Sequence, residues 1–163
     1  MPTGRSVADG AALFLVLIIM QTSRDIRHAH TTDETVTLSY EGRFLRRKVL
    51  TMASGERFLV DLEHTTSLRS GDAFVLDDGR LVGVLPAKED VLEITGADLV
   101  RLAWHIGNRH TPCQIEVGRL LIQPDHVLKD MLTKLGAIMR ERNEVFEPEG
   151  GAYGHGRTHG HQH

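Results

Sequence analysis

Apolar and polar residues alternate through much of the chain between Thr32 and Leu85. Alternation with a period of two indicates strands that bury one face. Five segments show this pattern: Thr35–Tyr40, Phe44–Met52, Arg57–Leu62, Ala73–Leu76 and Arg80–Leu85. Turn residues separate the segments, and none of this half has the spacing of a long helix. Residues 32–86 are therefore predicted to form a small all-β domain.

Two segments in the second half carry apolar residues at helical spacing. The first follows Thr95, which forms a capping box with Asp98, and Gly107 stands where a left-handed residue ends a helix. The second follows Asp125, a favourable N-cap residue, and is closed by Gly136. Both segments are long enough for about two or three turns, so the second half is predicted to contain two short helices.

Strand patterns surround both helices: Asp90–Ile94, Cys113–Val117, Arg119–Gln123 and Ala137–Phe146. The resulting order, β-α-β-β-α-β, is the split βαβ arrangement of ferredoxin-like domains. We therefore expect an α+β protein, in which the all-β domain precedes a ferredoxin-like domain over residues 87–148.

The two ends of the chain differ from the rest. Residues 1–31 are predicted to be an extension, in which Ala11–Met20 is apolar. Residues 24–32, at its end, are polar and predicted to be irregular. The apolar run is too short to cross a bilayer. It is a targeting segment, a buried strand, or sequence upstream of a true start at Met20, the interpretation that we favour. Residues 149–163 are rich in glycine and histidine and are predicted to be a disordered tail.

Composition excludes several classes of protein. The net charge of −3 is the opposite of the positive field that a nucleic-acid-binding protein usually carries. The single cysteine argues for a reducing compartment, here the cytoplasm, and against a cysteine-rich zinc module. No segment predicts a membrane partner. The basic residues Arg43, Arg46, Arg47 and Lys48 are typical of a solvated strand face, which would be able to dock an acidic partner.

Histidines are the residues that point to chemistry, because neutral imidazole is a suitable ligand for nickel, copper and zinc. Four of the ten lie in the tail: His155, His159, His161 and His163. Glycine between them allows several rings to converge on one ion. His110 follows the first helix and is either a metal ligand or a cap of the helix end. His126 begins the second helix and is either an accessory ligand or part of a solvated first turn.

The remaining candidates favour structural roles. His28 and His30 would share one face of an extended segment, but a solvated loop is the favoured interpretation. His105 would not share a helical face with His110 and is assigned to the fold. Cys113 lies three residues after His110, so a thiolate nucleophile has to be considered. A small buried hydrophobe is favoured for it, and we predict no enzymatic activity.

The stretch Leu102–Pro112, with the core Trp-His-Ile-Gly-Asn-Arg-His-x-Pro, resembles the signature of the UreE family of urease accessory proteins, which are nickel metallochaperones. The resemblance continues through 125–132, 147–153 and the histidine-rich tail. It covers Thr32 to His163, with separate motifs in the same order, and leaves the first 31 residues outside.

The resemblance implies a cytosolic homodimer that carries Ni²⁺ to apo-urease through a GTPase-containing assembly. The all-β domain would bind partner proteins, and two copies of His110 would hold one ion across the dimer axis. His126 matches an accessory ligand position, although Pro124 stands where some members have a further histidine. The tail histidines would supplement the site, which would also accept Cu²⁺ or Zn²⁺. A metal buffer or sensor, or a docking module without a delivery role, is the alternative.

Overall fold

The computed structural model describes residues 20–151. Most of the apolar run Ala11–Met20 and all four tail histidines (His155, His159, His161 and His163) lie outside this range. The described strands are β1 (Thr22–His28), β2 (Glu34–Leu38), β3 (Phe44–Thr51), β4 (Arg57–Ser67), β5 (Asp72–Leu76), β6 (Leu81–Pro86), β7 (Lys88–Thr95), β8 (Gln114–Glu116), β9 (Arg119–Ile122) and β10 (Ile138–Val145). The helices are α1 (Leu99–Asn108) and α2 (His126–Lys134), and a single 3₁₀ turn spans Glu41–Arg43.

Most of the predicted strands are present, with ends within two residues of the expected positions. The exception is β4, which continues to Ser67, five residues beyond its predicted end at Leu62. Residues 63–65 are exposed, so the alternation of burial that identifies a strand stops before the strand does. Within residues 20–151, no helix is both long and apolar enough to span a membrane.

Six strands form the first sheet, in the order β2-β6-β5-β1-β4-β3. Phe58 and Val60 on β4 and Phe74 on β5 are fully buried, and the two phenylalanine rings meet edge to face at 5.4 Å. Aromatic pairs prefer this arrangement because the positive ring edge meets the negative ring face. The predicted alternation therefore identifies the core side of these strands.

The strand β1 corrects one prediction, because residues 24–32 were expected to be irregular. Thr22–His28 instead lies inside the sheet, parallel to β4 and antiparallel to β5. Its two most buried side chains, Thr22 and Ser23, are polar, so the strand lacks an alternating apolar pattern. Backbone hydrogen bonds to the two neighbouring strands hold it in the sheet, and these do not depend on the type of side chain.

The second sheet has the order β10-β7-β9-β8, with every pair antiparallel. Its elements follow one another along the chain as β-α-β-β-α-β. One hydrophobic cluster unites this sheet with both helices: Leu92, Ile94, Leu102, Ile106, Leu120, Ile122, Leu128 and Leu132. A smaller cluster joins Val91 and Leu121 to Tyr40 and Phe146. The helical spacing therefore correctly predicts the buried faces of α1 and α2.

The start of α1 differs from its prediction. Thr95 is the last residue of β7, and its hydroxyl donates to the carbonyl of Ile138, so it does not cap the helix. Asp98 is the N-cap, and its carboxylate accepts the backbone N–H of Arg101 at 3.0 Å. In α2 the prediction is confirmed, since Asp125 accepts the N–H of Leu128 at 2.8 Å.

The end of α1 also differs from its prediction. Gly107 lies within the helix, and the left-handed residue is His110, with φ 56°. The backbone N–H of His110 donates to the carbonyl of Gly107 at 2.9 Å, which closes a last turn beyond the glycine. The left-handed residue thus lies three positions later than expected.

The chain divides into two compact units. The first contains the described residues up to Val36 together with 46–65 and 71–84. The second contains 37–45, 66–70 and the described residues from Leu85 onward. The second unit is therefore assembled from three separate stretches of sequence.

Arg43 joins these three stretches and corrects the prediction of a solvated basic face. Its side chain is only 2% exposed, and its guanidinium donates to the carbonyls of Leu38 and Phe146. Its own carbonyl accepts the N–H of Leu68 at 2.8 Å. The guanidinium carbon also lies 5.9 Å from the centre of the Tyr40 ring. Arg46, Arg47 and Lys48 are exposed, as predicted.

We predict that Arg43→Met lowers the free energy of unfolding by about 2 kcal/mol, because it removes the donor to the buried carbonyl of Phe146 and one of the two donors to that of Leu38. Urea denaturation measures the change. Lys48→Met, at an exposed position of the following strand β3, is the matched control, and a change within about 0.5 kcal/mol is expected there. Equal losses in the two variants would contradict the assigned role of Arg43.

Candidate functional site

His110 has the most distinctive backbone of the candidate residues. Among residues 20–151 it is the one non-glycine residue with a positive φ. A left-handed conformation costs an L-residue about 1–2 kcal/mol, since Cβ approaches the following carbonyl. Such strain often occurs where a particular side chain is needed at that point. The exposed His110 therefore occupies a position that glycine would fill at lower cost.

Exposed apolar residues lie on α1, one to three turns before His110. Val100 is 83% exposed and Trp104 is 63% exposed. They are four residues apart and therefore share one face of the helix. The prediction from sequence considered the buried stripe of α1 and missed this pair. The sequence does contain a signal for this pair, because Val100 and Trp104 are large apolar residues at an i, i+4 spacing outside the buried stripe. Such residues next to a candidate ligand are typical of a protein interface.

His105 is half-buried on α1, and its ring meets that of Trp104 edge to face at 5.0 Å. It also lines a hollow of about 410 Å³, together with Arg109, the C-cap residue of α1, and with residues of α2. Val127 and Met131 contribute apolar side chains to its lining. These contacts support the structural role assigned to His105.

His126 is the first residue of α2, next to the N-cap Asp125, and is exposed. No set of three or more His, Cys, Asp or Glu side chains in residues 20–151 is close enough to hold a metal ion. His110 and His126 are therefore not assembled into a complete centre by the described part of one chain.

Several carboxylates of the second sheet are already engaged by an arginine. Arg119 donates to Glu93, Glu116 and Glu144 at 2.6–3.0 Å. Hydrogen bonds from Arg119 hold the pKa of Glu93 and of Glu144 below the ordinary value, and Arg142 lowers that of Glu93 further. These bonds join β7, β9 and β10, so we assign these carboxylates to the fold.

Cys113 is half-buried and packs against the main hydrophobic cluster. Burial raises the pKa of its thiol to about 11, and the negative charge of Glu149 contributes a smaller part. A nucleophilic cysteine needs the opposite environment, one that stabilises the thiolate. These observations support a structural role for Cys113.

We predict that Cys113 reacts slowly with iodoacetamide at pH 8. The thiolate fraction is about a hundredfold lower than for a thiol whose pKa is two units lower. The rate should rise about tenfold per pH unit up to pH 10. Glu149→Gln should raise it modestly, and the urea-unfolded protein serves as the fast reference. A rate that reaches its plateau below pH 9 would show that the thiol is not masked.

Comparison with known proteins covers both halves of the chain. Residues 18–87 match the N-terminal domain of the UreE urease accessory protein, and residues 89–163 match its C-terminal domain. The first match begins at residue 18, ahead of Thr32, where the sequence resemblance was placed, and so includes β1.

Several relatives carry the name urease accessory protein UreE. The one from Ruegeria pomeroyi is 66% identical over 143 residues, which is 86% of this chain and 96% of the relative. Those from Rhodobacter capsulatus and Paracoccus denitrificans are 62% and 60% identical over 128 and 126 residues. These matches cover 78% and 77% of this chain and 81% and 80% of the two relatives. The chain therefore belongs to the UreE family of urease accessory proteins.

Proposed function

We propose that this protein is a metallochaperone that binds Ni²⁺ and delivers it for assembly of the urease active site. Members of its family are accessory proteins of urease and not enzymes. The observation that carries the proposal is His110, an exposed imidazole in a strained backbone conformation directly after α1. Imidazole nitrogen is a suitable ligand for Ni²⁺.

The nickel site is shared between two chains. One His110 per chain supplies too few ligands, and a two-fold axis doubles the number. The exposed Val100 and Trp104 support this arrangement, because an apolar surface on the helix that precedes His110 is suited to contact with a second copy. A homodimer in which the two His110 residues face one another is therefore the proposed carrier.

Further histidines complete the coordination shell. His126 is the proposed accessory ligand of the folded part, and the tail contributes His155, His159, His161 and His163. A tethered tail is present at high effective concentration but dissociates easily, which suits a carrier that has to release its ion. Cu²⁺ and Zn²⁺ also bind imidazole, and Cu²⁺ binds it more tightly than Ni²⁺. Selection for nickel therefore comes from metal availability and from the partners.

The partners are a GTPase-containing urease-assembly complex and apo-urease, and the proposed compartment is the cytoplasm. Nucleic acid and membranes have no part in the proposal.

We infer that residues 87–148 form a ferredoxin-like domain, since the order β-α-β-β-α-β and the sheet order β10-β7-β9-β8 fit that arrangement. The preceding all-β domain is proposed to provide the surface that binds partner proteins.

The alternative function is that of a metal buffer or sensor, which would bind nickel without passing it to the GTPase. An assay of nickel transfer to the GTPase therefore distinguishes a carrier from a buffer or sensor.

Substitution of His110 separates its metal role from its effect on the fold. His110→Gly and His110→Ala should both remove the tightest nickel site per dimer, measured by calorimetry. Only His110→Gly should also relieve the backbone strain and be more stable than His110→Ala by about 1 kcal/mol. His64→Ala, which removes an exposed histidine of β4, is the control. Survival of the tightest site in both His110 variants would rule out the shared site.

Removal of the residues after Tyr153 tests the tail. The number of nickel ions per dimer should fall, because four imidazoles are lost, while one site per dimer that depends on His110 should remain. Metal content after equilibrium dialysis measures the number. An unchanged number would favour the docking module, in which the tail histidines are incidental.

A further inference from the structure

His28 and His30 lie together at the end of β1, far along the chain from the His110 motif. Their ring centres are 5.3 Å apart and the rings are perpendicular. Both residues are exposed. His28 is the last residue of β1, and His30 lies in the bend that follows it. The end of β1 and the bend after it therefore place two imidazoles side by side at a surface.

The His28 ring packs against the backbone of Gly71. Its φ is +89°, and a Cβ at this position would lie 2.4 Å from Cε1 of His28. No real Cβ comes so close to another carbon, so the ring occupies space that only a glycine leaves open. The N–H of Ala29 donates to the carbonyl of Gly71 at 3.0 Å, which holds the backbone beside it. A ring packed against the Gly71 backbone has fewer orientations to lose when a ligand binds, which lowers the entropic cost of binding.

The separation of the two rings fits a common metal ligand geometry. A nitrogen–metal bond of about 2.1 Å places the centre of an imidazole about 3.2 Å from the ion, and a tetrahedral angle then separates two centres by about 5.2 Å. The observed 5.3 Å agrees with this value. Simple stacking is compatible with the same distance, so an experiment has to separate the two.

A carboxylate lies opposite His28 in the sheet. His28 is opposite Asp72 in the antiparallel β1–β5 pair, and directly opposed residues project from the same side of a sheet. A carboxylate near a ligating histidine commonly orients the ring and raises its basicity. Within residues 20–151 no third His, Cys, Asp or Glu completes a metal cluster. Water would therefore fill the other positions, and the ion would exchange readily.

We propose that His28 and His30 form a two-imidazole site for a borderline divalent cation such as Zn²⁺, Ni²⁺ or Cu²⁺. It lies in the first of the two units, whereas His110 belongs to the second. The site is independent of the proposed nickel carrier function, and either proposal stands if the other fails.

The test uses the full-length chain with ¹⁵N-labelled histidine and Zn²⁺ as the probe. Each imidazole is followed by NMR, so the tail histidines do not obscure the pair. In the wild type, the His28 and His30 signals should shift together along one binding curve. His28→Gln should weaken the Zn²⁺ response of His30 at least tenfold, and His30→Gln should do the same to His28.

Two controls make the outcome specific. His64→Gln removes an exposed histidine of the same unit and should leave the common curve unchanged. His110→Ala should also leave it unchanged, which separates this site from the proposed nickel site. The proposal is overturned if the two signals titrate independently, or if neither shifts at Zn²⁺ concentrations that saturate the tail. In either case the two rings only stack on one another.

Discussion

The buried guanidinium of Arg43 is the interaction on which the second unit depends. That unit contains three stretches that are distant in sequence, and Arg43 forms hydrogen bonds with all of them. Its side chain reaches the carbonyls of Leu38 and Phe146, and its backbone accepts from Leu68. Burying a cation is costly unless its donors are satisfied. The buried guanidinium therefore favours this arrangement of the three stretches, because this arrangement supplies its acceptors.

A second constraint is local and concerns the end of α1. Asp98 starts the helix, and the last turn closes on Gly107, so the left-handed position falls on His110. A glycine at that position would cost less, but it would carry no imidazole. The fold therefore holds the candidate ligand just beyond a helix whose exposed apolar face, Val100 and Trp104, is suited to a second copy. The proposed shared nickel site combines these two features of one helix.

The histidines show which properties of a candidate ligand can be predicted from sequence and which cannot. His110 is a candidate from sequence because it follows the end of a helix, and the family motif around it makes it the expected ligand. Its backbone strain is not visible in the sequence. His28 and His30 were assigned to a solvated loop, because their segment lacks apolar alternation. Their contact follows from the pairing of β1 with β5 and from the space above Gly71. Neither condition is local to the two histidines.

The sequence by itself determined the strands with alternating burial, the buried faces of both helices and the Asp125 cap, since each depends on residues within a few positions of one another. It also contained the motifs that indicate the family. Only the tertiary structure decided that β1 is an interior strand, that Arg43 is buried and that His110 takes the left-handed position. Periodic patterns report which face of an element is apolar. They do not report which backbone group supplies a hydrogen bond. The first two features depend on bonds to distant backbone, and the third depends on the turn in which the N–H of His110 donates to the carbonyl of Gly107.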